Sequence, residues 1–190
     1  MKTGLKVSVQ TAGWMNELFD GEKEVDEAFR YIKEIGFDTL DYNIDAKLGY
    51  CEITSGTLNN FYDQTVEELW EYYRPVKEAM VRHGISIGQA HASFPTYVEG
   101  KEHVNEYMVQ VIEKQCAICQ YLECPGLVVH PYTDTEDIEI KGKCNLTFSP
   151  DKEKERNINL NFLRRLIPAA KKYGVRICLE NMVSTGISGI

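Results

Sequence analysis

The chain has 190 residues, 43% of them hydrophobic, which is enough for one sizeable core and predicts a single domain over residues 1–190. Its 21 basic and 29 acidic residues leave a net charge of −8, so a nucleic acid is not expected as the main partner. No stretch approaches the roughly 20 apolar residues of a membrane span, and the first residues resemble a strand rather than a secretory leader. We therefore expect a cytoplasmic protein without a membrane partner.

The hydrophobic pattern alternates between the period of a strand and that of a helix. Thr65 and Glu68 form a capping box that opens the second helix, and Pro75 is expected to bend that helix. Residues 43–64 are expected to form a loop, and residues 133–156 either a lid or a solvated surface insertion. In chain order the predicted elements are strand 5–10, helix 22–35, strand 37–42, helix 65–83, strand 85–90, helix 102–122, strand 127–129, helix 157–173 and strand 175–179.

Three of the predicted helices lead into a strand through the same short connection. Gly36, Gly84 and Gly174 each follow a helical pattern and stand directly before an apolar run. A glycine in the left-handed conformation ends a helix and turns the chain into the next strand. Short helix-to-strand turns with longer strand-to-helix loops are typical of parallel α/β proteins, and we predict that class.

The spacing of these units predicts a barrel. Five strand-helix units begin within about 180 residues, and eight units would need about 290 residues, inside the range of (β/α)8 barrels. The chain thus corresponds to about the first five βα units of a TIM-barrel type fold. An open, doubly wound five-stranded sheet is the alternative, but residues 11–14 lack the GxGxxG fingerprint of a dinucleotide-binding fold.

The six cysteines are typical of a protein from a reducing compartment. Cys116 and Cys119 have CxxC spacing, but they lie inside a helical pattern with no loop around them, and Cys124 does not complete a zinc-site spacing. We expect buried or half-buried thiols rather than redox or metal-binding groups.

Three apolar strands end on side chains that can hold a metal ion or move a proton, namely His91, His130 and Glu180. Because the carboxyl ends of neighbouring parallel strands lie at one edge of a sheet, we expect the three side chains to converge there. Other interpretations stay open: an ion pair for Glu180, backbone hydrogen bonds for the histidines, and Gln89 instead of His91 as the inward-facing residue.

Four motifs in this order resemble the xylose-isomerase-like TIM barrels. They are Gly-Phe-Asp-Thr-Leu-Asp at 36–41, His91, Val-Val-His-Pro at 128–131 and Cys-Leu-Glu-Asn at 178–181. This superfamily includes sugar-phosphate isomerases and epimerases and the endonuclease IV type of abasic-site nuclease. The resemblance implies an eight-stranded barrel, of which strands six to eight have no counterpart in this sequence.

The resemblance also implies roles for the three residues. Glu180 corresponds to a glutamate that binds a divalent metal, such as Mn, Mg, Co or Zn, and serves as acid/base beside a carbonyl. His130 corresponds to a metal ligand in the nucleases and to a substrate contact in the isomerases, and His91 is treated in the same way. The implied catalytic residue is therefore Glu180, with His91 and His130 as metal ligands or substrate contacts.

Other polar and aromatic residues lie near the predicted strand ends. Gln10, Asp41 and Asn43 end the first two strands, so they either contact substrate hydroxyls or form caps and turns. Trp14 and Phe94 either form an apolar wall against a sugar or belong to the core, and core packing is favoured. Two further histidines in helical patterns are expected to be solvated: His83 and His103.

The sequence therefore predicts a metal-dependent sugar or sugar-phosphate isomerase or epimerase that acts on a small ketose, aldose or inositol derivative. A zinc-dependent abasic-site endonuclease is the enzymatic alternative, and an inactive partial barrel that acts as a binding or assembly module is the other. Five strands cannot close a barrel made for eight, so we expect the first and fifth strands to be edges and the chain to form a homo-oligomer. We also expect little isomerase activity from the 190 residues alone.

Overall fold

The computed structural model describes residues 6–11, 21–132, 135–140, 143–148 and 152–180. Strands and helices alternate through these residues, as the sequence pattern predicts. The strands are β1 Ser8–Gln10, β2 Thr39–Asn43, β3 Ser86–His91, β4 Gly126–Val129, β5 Thr135–Ile140, β6 Lys143–Phe148 and β7 Arg176–Leu179. The helices are α1 Glu22–Glu34, α2 Tyr50–Ser55, α3 Val66–Tyr72, α4 Arg74–His83, α5 Glu102–Tyr121 and α6 Lys152–Tyr173.

Five strands form one parallel sheet in the order β1-β2-β3-β4-β7, which confirms the predicted α/β class and partial barrel wall. As predicted, β1 and β7 lie at the edges, each with one strand neighbour in the described part of the chain. The predicted homo-oligomer stays a prediction, and light scattering tests it. Among the described helices, none is long and apolar enough to cross a membrane.

One face of the sheet is covered by helices and forms the core. Leu40, Ile87 and Leu127 point to this face and join α1 and α5 residues such as Phe29 and Ile112 in a single buried cluster. Helix α1 packs against α4, and α5 packs against α6. Because successive side chains of a strand point to opposite faces, the alternate positions of the same strands are left for the other face.

The glycine connections are confirmed. Gly84 and Gly174 have φ of 62° and 66°, in the left-handed region, and Gly36 has φ of 101°. Residues with a side chain adopt these angles at a cost, whereas glycine does not. The chain therefore turns from α1, α4 and α6 into the following strand within a few residues.

The segment between β2 and α3 differs from the predicted loop. It contains 3-10 turns at Ile44–Lys47 and Phe61–Asp63, with α2 between them. Ile44, Leu48 and Ile53 are at most 1% exposed. Burial of these apolar side chains gives the segment regular structure although each piece is too short to show a clear period.

The predicted second helix is two helices in the structure. The Thr65–Glu68 capping box is confirmed, because Glu68 N–H donates to Thr65 Oγ1 and Thr65 N–H donates to Glu68 Oε2. Helix α3 ends at Tyr72, and α4 begins at Arg74 with Pro75 in its first turn. Proline fits the first turn of a helix because a backbone N–H at that position would have no partner inside the helix. The helix is therefore interrupted before Pro75 rather than bent at it.

The predicted insertion at residues 133–156 contains secondary structure. Strands β5 and β6 pair as an antiparallel ribbon, in which Thr135 is opposite Phe148 and Ile140 is opposite Lys143. Helix α6 begins at Lys152 rather than at residue 157. Residues 133, 134, 141, 142 and 149–151 lie outside the described part.

Candidate metal and catalytic site

The three side chains that end the apolar strands converge at the carboxyl edge of the sheet. His91 is the last residue of β3, His130 follows β4, and Glu180 follows β7. His130 Nε2 lies 2.9 Å from Glu180 Oε2, and His91 Nε2 lies 3.2 Å from the same oxygen. One ligand atom from each of the three residues lies within 4.8 Å of the others. The predicted convergence is confirmed, in strand order.

The register of the strands explains why these side chains share a face. His91 pairs with Val128 on β4, and Val128 pairs with Cys178 on β7. His130 and Glu180 each lie two residues beyond these partners. Since side chains two residues apart point the same way, all three project from the face opposite the helices.

A β-bulge in β3 decides which residues reach this face. Leu40 pairs with Ile87, but the next residue of β2, Asp41, pairs with Gln89, so Gly88 is the extra residue. The bulge reverses the alternation of β3. Ile87 therefore points to the helices while both Gln89 and His91 point to the opposite face with Asp41. The open choice between Gln89 and His91 is resolved: both face inward.

Asp41 and Gln89 extend the group to a network of five side chains. Asp41 Oδ1 lies 2.9 Å from His91 Nδ1, and Gln89 Nε2 donates to Asp41 Oδ2 at 3.0 Å. The hydrogen bond to Asp41 is the main cause that raises the pKa of His91. The hydrogen bond to His130 is the main cause that lowers the pKa of Glu180. The site thus favours an ionised Glu180 carboxylate.

The contacts of His91 provide a test of whether a cation fits. Both ring nitrogens of His91 face carboxylate oxygens, Asp41 Oδ1 on one side and Glu180 Oε2 on the other. Carboxylates only accept hydrogen bonds, so one neutral imidazole cannot satisfy both. Either the His91 ring is protonated on both nitrogens, or its Nε2 lone pair would bind a cation that Glu180 also binds. Two imidazoles and one carboxylate form a donor set that zinc accepts, with one position left open.

Aromatic rings flank His130. The Phe94 ring lies edge-on to His130 with centroids 5.1 Å apart, and Tyr50 stacks on Phe94 at 5.7 Å. Tyr50 is 58% exposed. Phe94 therefore borders the site rather than the main core, and sequence reasoning missed Tyr50 because α2 was not expected. Trp14, the other aromatic residue expected here, lies outside the described residues.

The remaining candidates for substrate contacts lie at the same edge. Gln10, at the end of β1, is exposed and pairs in register with Asp41. Asn43 pairs with His91, and its backbone N–H donates to Thr11 Oγ1 at 2.9 Å. Both side chains belong to the face that carries the network. Gln10 is opposite Asp41 on the neighbouring strand, and Asn43 is two residues after Asp41 on β2.

Two expectations away from the site have different outcomes. His83 was expected to be solvated, but this is wrong: its side chain is only 16% exposed and its Nε2 lies 2.8 Å from Asp26 Oδ1 on α1. His103 is exposed as expected. Among the described thiols, Cys116, Cys119 and Cys124 are buried and unbridged as expected, and Cys178 is half-buried. For Cys51 the expectation is wrong, because its thiol is exposed.

The fold and the site together define a class: a parallel α/β barrel wall with a group suited to metal binding at the carboxyl ends of its strands. A family model described as xylose isomerase-like TIM barrel matches residues 29–189. The chain belongs to this family. No curated protein matches the sequence significantly.

Three solved structures are similar to this chain in fold. The apo 3-keto-D-glucoside 4-epimerase YcjR from E. coli has a TM-score of 0.63 and 19% identity over 95% of this chain and 57% of its own. The IOLI protein with a bound zinc atom has a TM-score of 0.53 and 19% identity over 92% of this chain and 51% of its own. A xylose isomerase-like TIM barrel protein from Mycobacterium smegmatis in complex with magnesium has a TM-score of 0.56 and 12% identity over 88% of this chain and 50% of its own. The chain spans about half the length of these proteins.

Proposed function

We propose that this protein is a metal-dependent sugar isomerase or epimerase and that His91, His130 and Glu180 hold its divalent metal. The observation that carries the proposal is the convergence of these three side chains, with ligand atoms within 4.8 Å, at the carboxyl edge of the sheet. Membership of the xylose isomerase-like family and the similarity in fold to a sugar epimerase support it.

Glu180 is the proposed acid/base. Its pKa is lowered chiefly by the hydrogen bond to His130, so it is a carboxylate at neutral pH and can accept a proton from a carbon beside a carbonyl. A divalent metal held by His91, His130 and Glu180 would polarise that carbonyl oxygen. Return of that proton by Glu180 to the neighbouring carbon would complete an isomerisation. Epimerisation would instead need a second acid on the opposite face of the substrate to protonate the same carbon, because return from Glu180 regenerates the starting sugar.

The substrate is proposed to be a small ketose, aldose or inositol derivative, free or phosphorylated. Gln10 and Asn43 lie on the same face of the sheet and would donate and accept hydrogen bonds with its hydroxyl groups. Phe94 and Tyr50 would form an apolar wall on the His130 side. Aromatic faces suit the C–H surface of a sugar because the contact is apolar but leaves the hydroxyls free.

The donor set favours zinc or cobalt over magnesium or manganese. Two imidazole nitrogens and one carboxylate oxygen suit a borderline ion, whereas Mg and Mn prefer oxygen ligands. A cytoplasmic location belongs to the same proposal and is supported by the free thiols of the described cysteines.

One observation favours a second candidate, a zinc-dependent abasic-site phosphodiesterase. Two histidines and one glutamate converge, which is the ligand set that the sequence resemblance implies for the nucleases. The net charge of −8 counts against it, because DNA binding draws on clustered basic residues.

The test combines metal binding with proton exchange. The purified protein is stripped of metal, titrated with zinc, cobalt, magnesium and manganese, and then incubated with a panel of sugars in deuterium oxide. We expect one zinc or cobalt per chain and slow incorporation of solvent deuterium at the carbon beside the sugar carbonyl, with little net conversion to a second sugar, in keeping with the low isomerase activity expected of these 190 residues. Glu180→Gln should strongly reduce both the bound metal and the deuterium. The matched control, Glu27→Gln on the exposed surface of α1, should behave as wild type. Cleavage of abasic DNA without sugar exchange would replace this proposal with the second candidate.

A further inference from the structure

We propose that Asp41 and Gln89 are positioning residues that hold His91 in the tautomer whose Nε2 lone pair faces Glu180, where a metal would bind. This inference rests on the proposed function, because it concerns how a proposed metal ligand is prepared. It adds two residues that act through His91 and need not touch the metal or the substrate. The carboxyl end of β2 and the bulge of β3 would then belong to the site.

The first step is the contact between Asp41 and His91. Asp41 Oδ1 lies 2.9 Å from His91 Nδ1, and the side chains are 18% and 9% exposed, so water competes little for this contact. A carboxylate only accepts hydrogen bonds, so Nδ1 carries the proton. The lone pair of the neutral ring is then on Nε2, which faces Glu180 and His130. A carboxylate behind a histidine ligand orients the ring and makes it a better donor.

The second step is the contact between Gln89 and Asp41. Gln89 Nε2 donates to Asp41 Oδ2 at 3.0 Å, so the two carboxylate oxygens have separate partners. Rotation of the carboxylate would break both hydrogen bonds. Gln89 reaches this place because the bulge at Gly88 puts it opposite Asp41 in register. The strand irregularity and the histidine tautomer are therefore parts of one arrangement.

The third step is the contrast between the two histidines. His130 Nδ1 is buried and has no hydrogen-bond partner within the part of the chain that the structure describes. His130 is held by ring contacts, with Phe94 at 5.1 Å and His91 at 5.6 Å between centroids. His130 has its polar contact at Nε2 instead, 2.9 Å from Glu180 Oε2. His91 is thus the ring whose Nδ1 proton the described residues hold, and Asp41 is the residue to change.

The experiment uses an amide to reverse the tautomer. In Asp41→Asn, we expect Gln89 Nε2 to keep donating to the oxygen of the new amide, which leaves the amide nitrogen to donate to His91 Nδ1. His91 then carries its proton on Nε2, where the metal should bind. Zinc affinity, measured by competition with a chromophoric chelator, is expected to fall about 10- to 100-fold. The opposite arrangement, with both amides rotated, would keep the proton on Nδ1 and is recognised in the ring spectra described below.

A second substitution is expected to restore the tautomer. In Asp41→Asn/Gln89→Glu, the new carboxylate accepts from the amide nitrogen, so the amide oxygen again accepts from His91 Nδ1. The double variant has the same net charge as wild type, and we expect most of the lost zinc affinity to return. Gln89→Glu alone places two carboxylates together and should not improve binding. Asp38→Asn, an exposed aspartate before β2, is the matched control.

The tautomer is also read directly. Nitrogen-15 spectra of the imidazole rings are recorded on metal-free protein, at a pH where the rings are neutral, and only four histidines have to be assigned. We expect His91 to carry its proton on Nδ1 in wild type and in the double variant, and on Nε2 in Asp41→Asn.

The outcomes separate the two proposals. Zinc binding that Asp41→Asn leaves unchanged, although the ring spectra of that variant place the His91 proton on Nε2, would overturn the positioning role, and so would a proton on Nε2 of wild-type His91. Failure of wild type to bind zinc or cobalt would overturn the proposed metal site, while the ring spectra would still decide the tautomer assignment. Loss of affinity in Asp41→Asn without recovery in the double variant would contradict the part assigned to Gln89.

Discussion

The two faces of the parallel sheet are made by alternate residues of the same strands, yet they differ in almost every property. The helix-facing side carries Leu40, Ile87 and Leu127 and is buried under α1, α4 and α5. The opposite side carries Asp41, Gln89 and the histidines; Gln89 is exposed, whereas His91 is buried and Asp41 is half-buried. Because alternate residues of a strand point to opposite faces, the residues that stabilise the core and the residues of the candidate site lie on different faces. A substitution on one face is therefore expected to leave the other face largely unchanged.

The largest effect expected from this separation is a loss of stability on the buried side. Leu40 is fully buried, and Leu40→Ala removes apolar contacts and leaves a cavity. We expect the free energy of unfolding to fall by about 2–5 kcal/mol, while zinc stoichiometry is kept in the folded state.

The matched change on the other face is Gln10→Ala. Gln10 pairs in register with Asp41, the residue that follows Leu40. Gln10 is exposed, so its unfolding free energy should change by no more than about 0.5 kcal/mol. Urea denaturation measures both variants. Equal losses from the two faces would show that the division between them is wrong.

The second prediction concerns Gly88, where the two faces exchange places along β3. A methyl group at this position would lie 3.1 Å from Thr39 Oγ1, which is closer than most real contacts. We expect Gly88→Ala to lower the free energy of unfolding by about 1–3 kcal/mol and to weaken zinc binding, because the bulge holds Gln89 and His91.

A double-mutant cycle tests the cause of that loss. Thr39→Ala removes the oxygen that the new methyl group meets, so Gly88→Ala should cost less in this background than in wild type. Additive losses would mean that the methyl group acts through the backbone and not through Thr39.

Much of this arrangement could be predicted from the sequence, for definite physical reasons. Short apolar runs after Gly84 and Gly174 mark strands, and parallel strands bring their last residues to one edge. The convergence of His91, His130 and Glu180 follows from these two facts and is confirmed. Their chemical roles stay predictions, and they rest on the resemblance to a family. The expected burial of the second run is wrong, because β7 is an edge strand and Leu179 is 53% exposed.

The parts that were missed depend on contacts between distant segments. The residues from Ser86 to His91 fit a regular strand, and only pairing with β2 shows the bulge at Gly88. His83 has the spacing of a solvated helical residue, but Asp26 on α1 lies against it. Residues 44–63 are structured because their apolar side chains fill the core, which a local pattern does not indicate.

The third prediction tests stabilisation far from both faces of the sheet. Thr65 caps α3 by accepting a hydrogen bond from Glu68 N–H at 3.2 Å. Thr65→Ala should lower the free energy of unfolding by about 1 kcal/mol and leave zinc affinity unchanged. Thr57→Ala, at an exposed position, is the control and should be near neutral. Reduced zinc affinity in Thr65→Ala would indicate that the helical layer is coupled to the site.

The smallest effect is expected where α1 meets α4, around Asp26. Hydrogen bonds from His83 and Arg82 lower the pKa of the Asp26 carboxyl below its ordinary value of 3.8. A carboxyl whose pKa is lower in the folded state stabilises the protein above its unfolded pKa and loses this contribution as the pH falls through the folded value. Asp26→Asn should therefore be slightly less stable than wild type at pH 7, by less than Thr65→Ala, and should match wild type once the pH is below the folded pKa.

Urea denaturation across acidic pH measures this difference in the free energy of unfolding. Glu27→Gln serves as the control, since its pairing with Lys23 at 4.0 Å is long and exposed. A stability gap between Asp26→Asn and wild type that persists unchanged in acid would mean that packing, and not the charge of Asp26, joins the two helices.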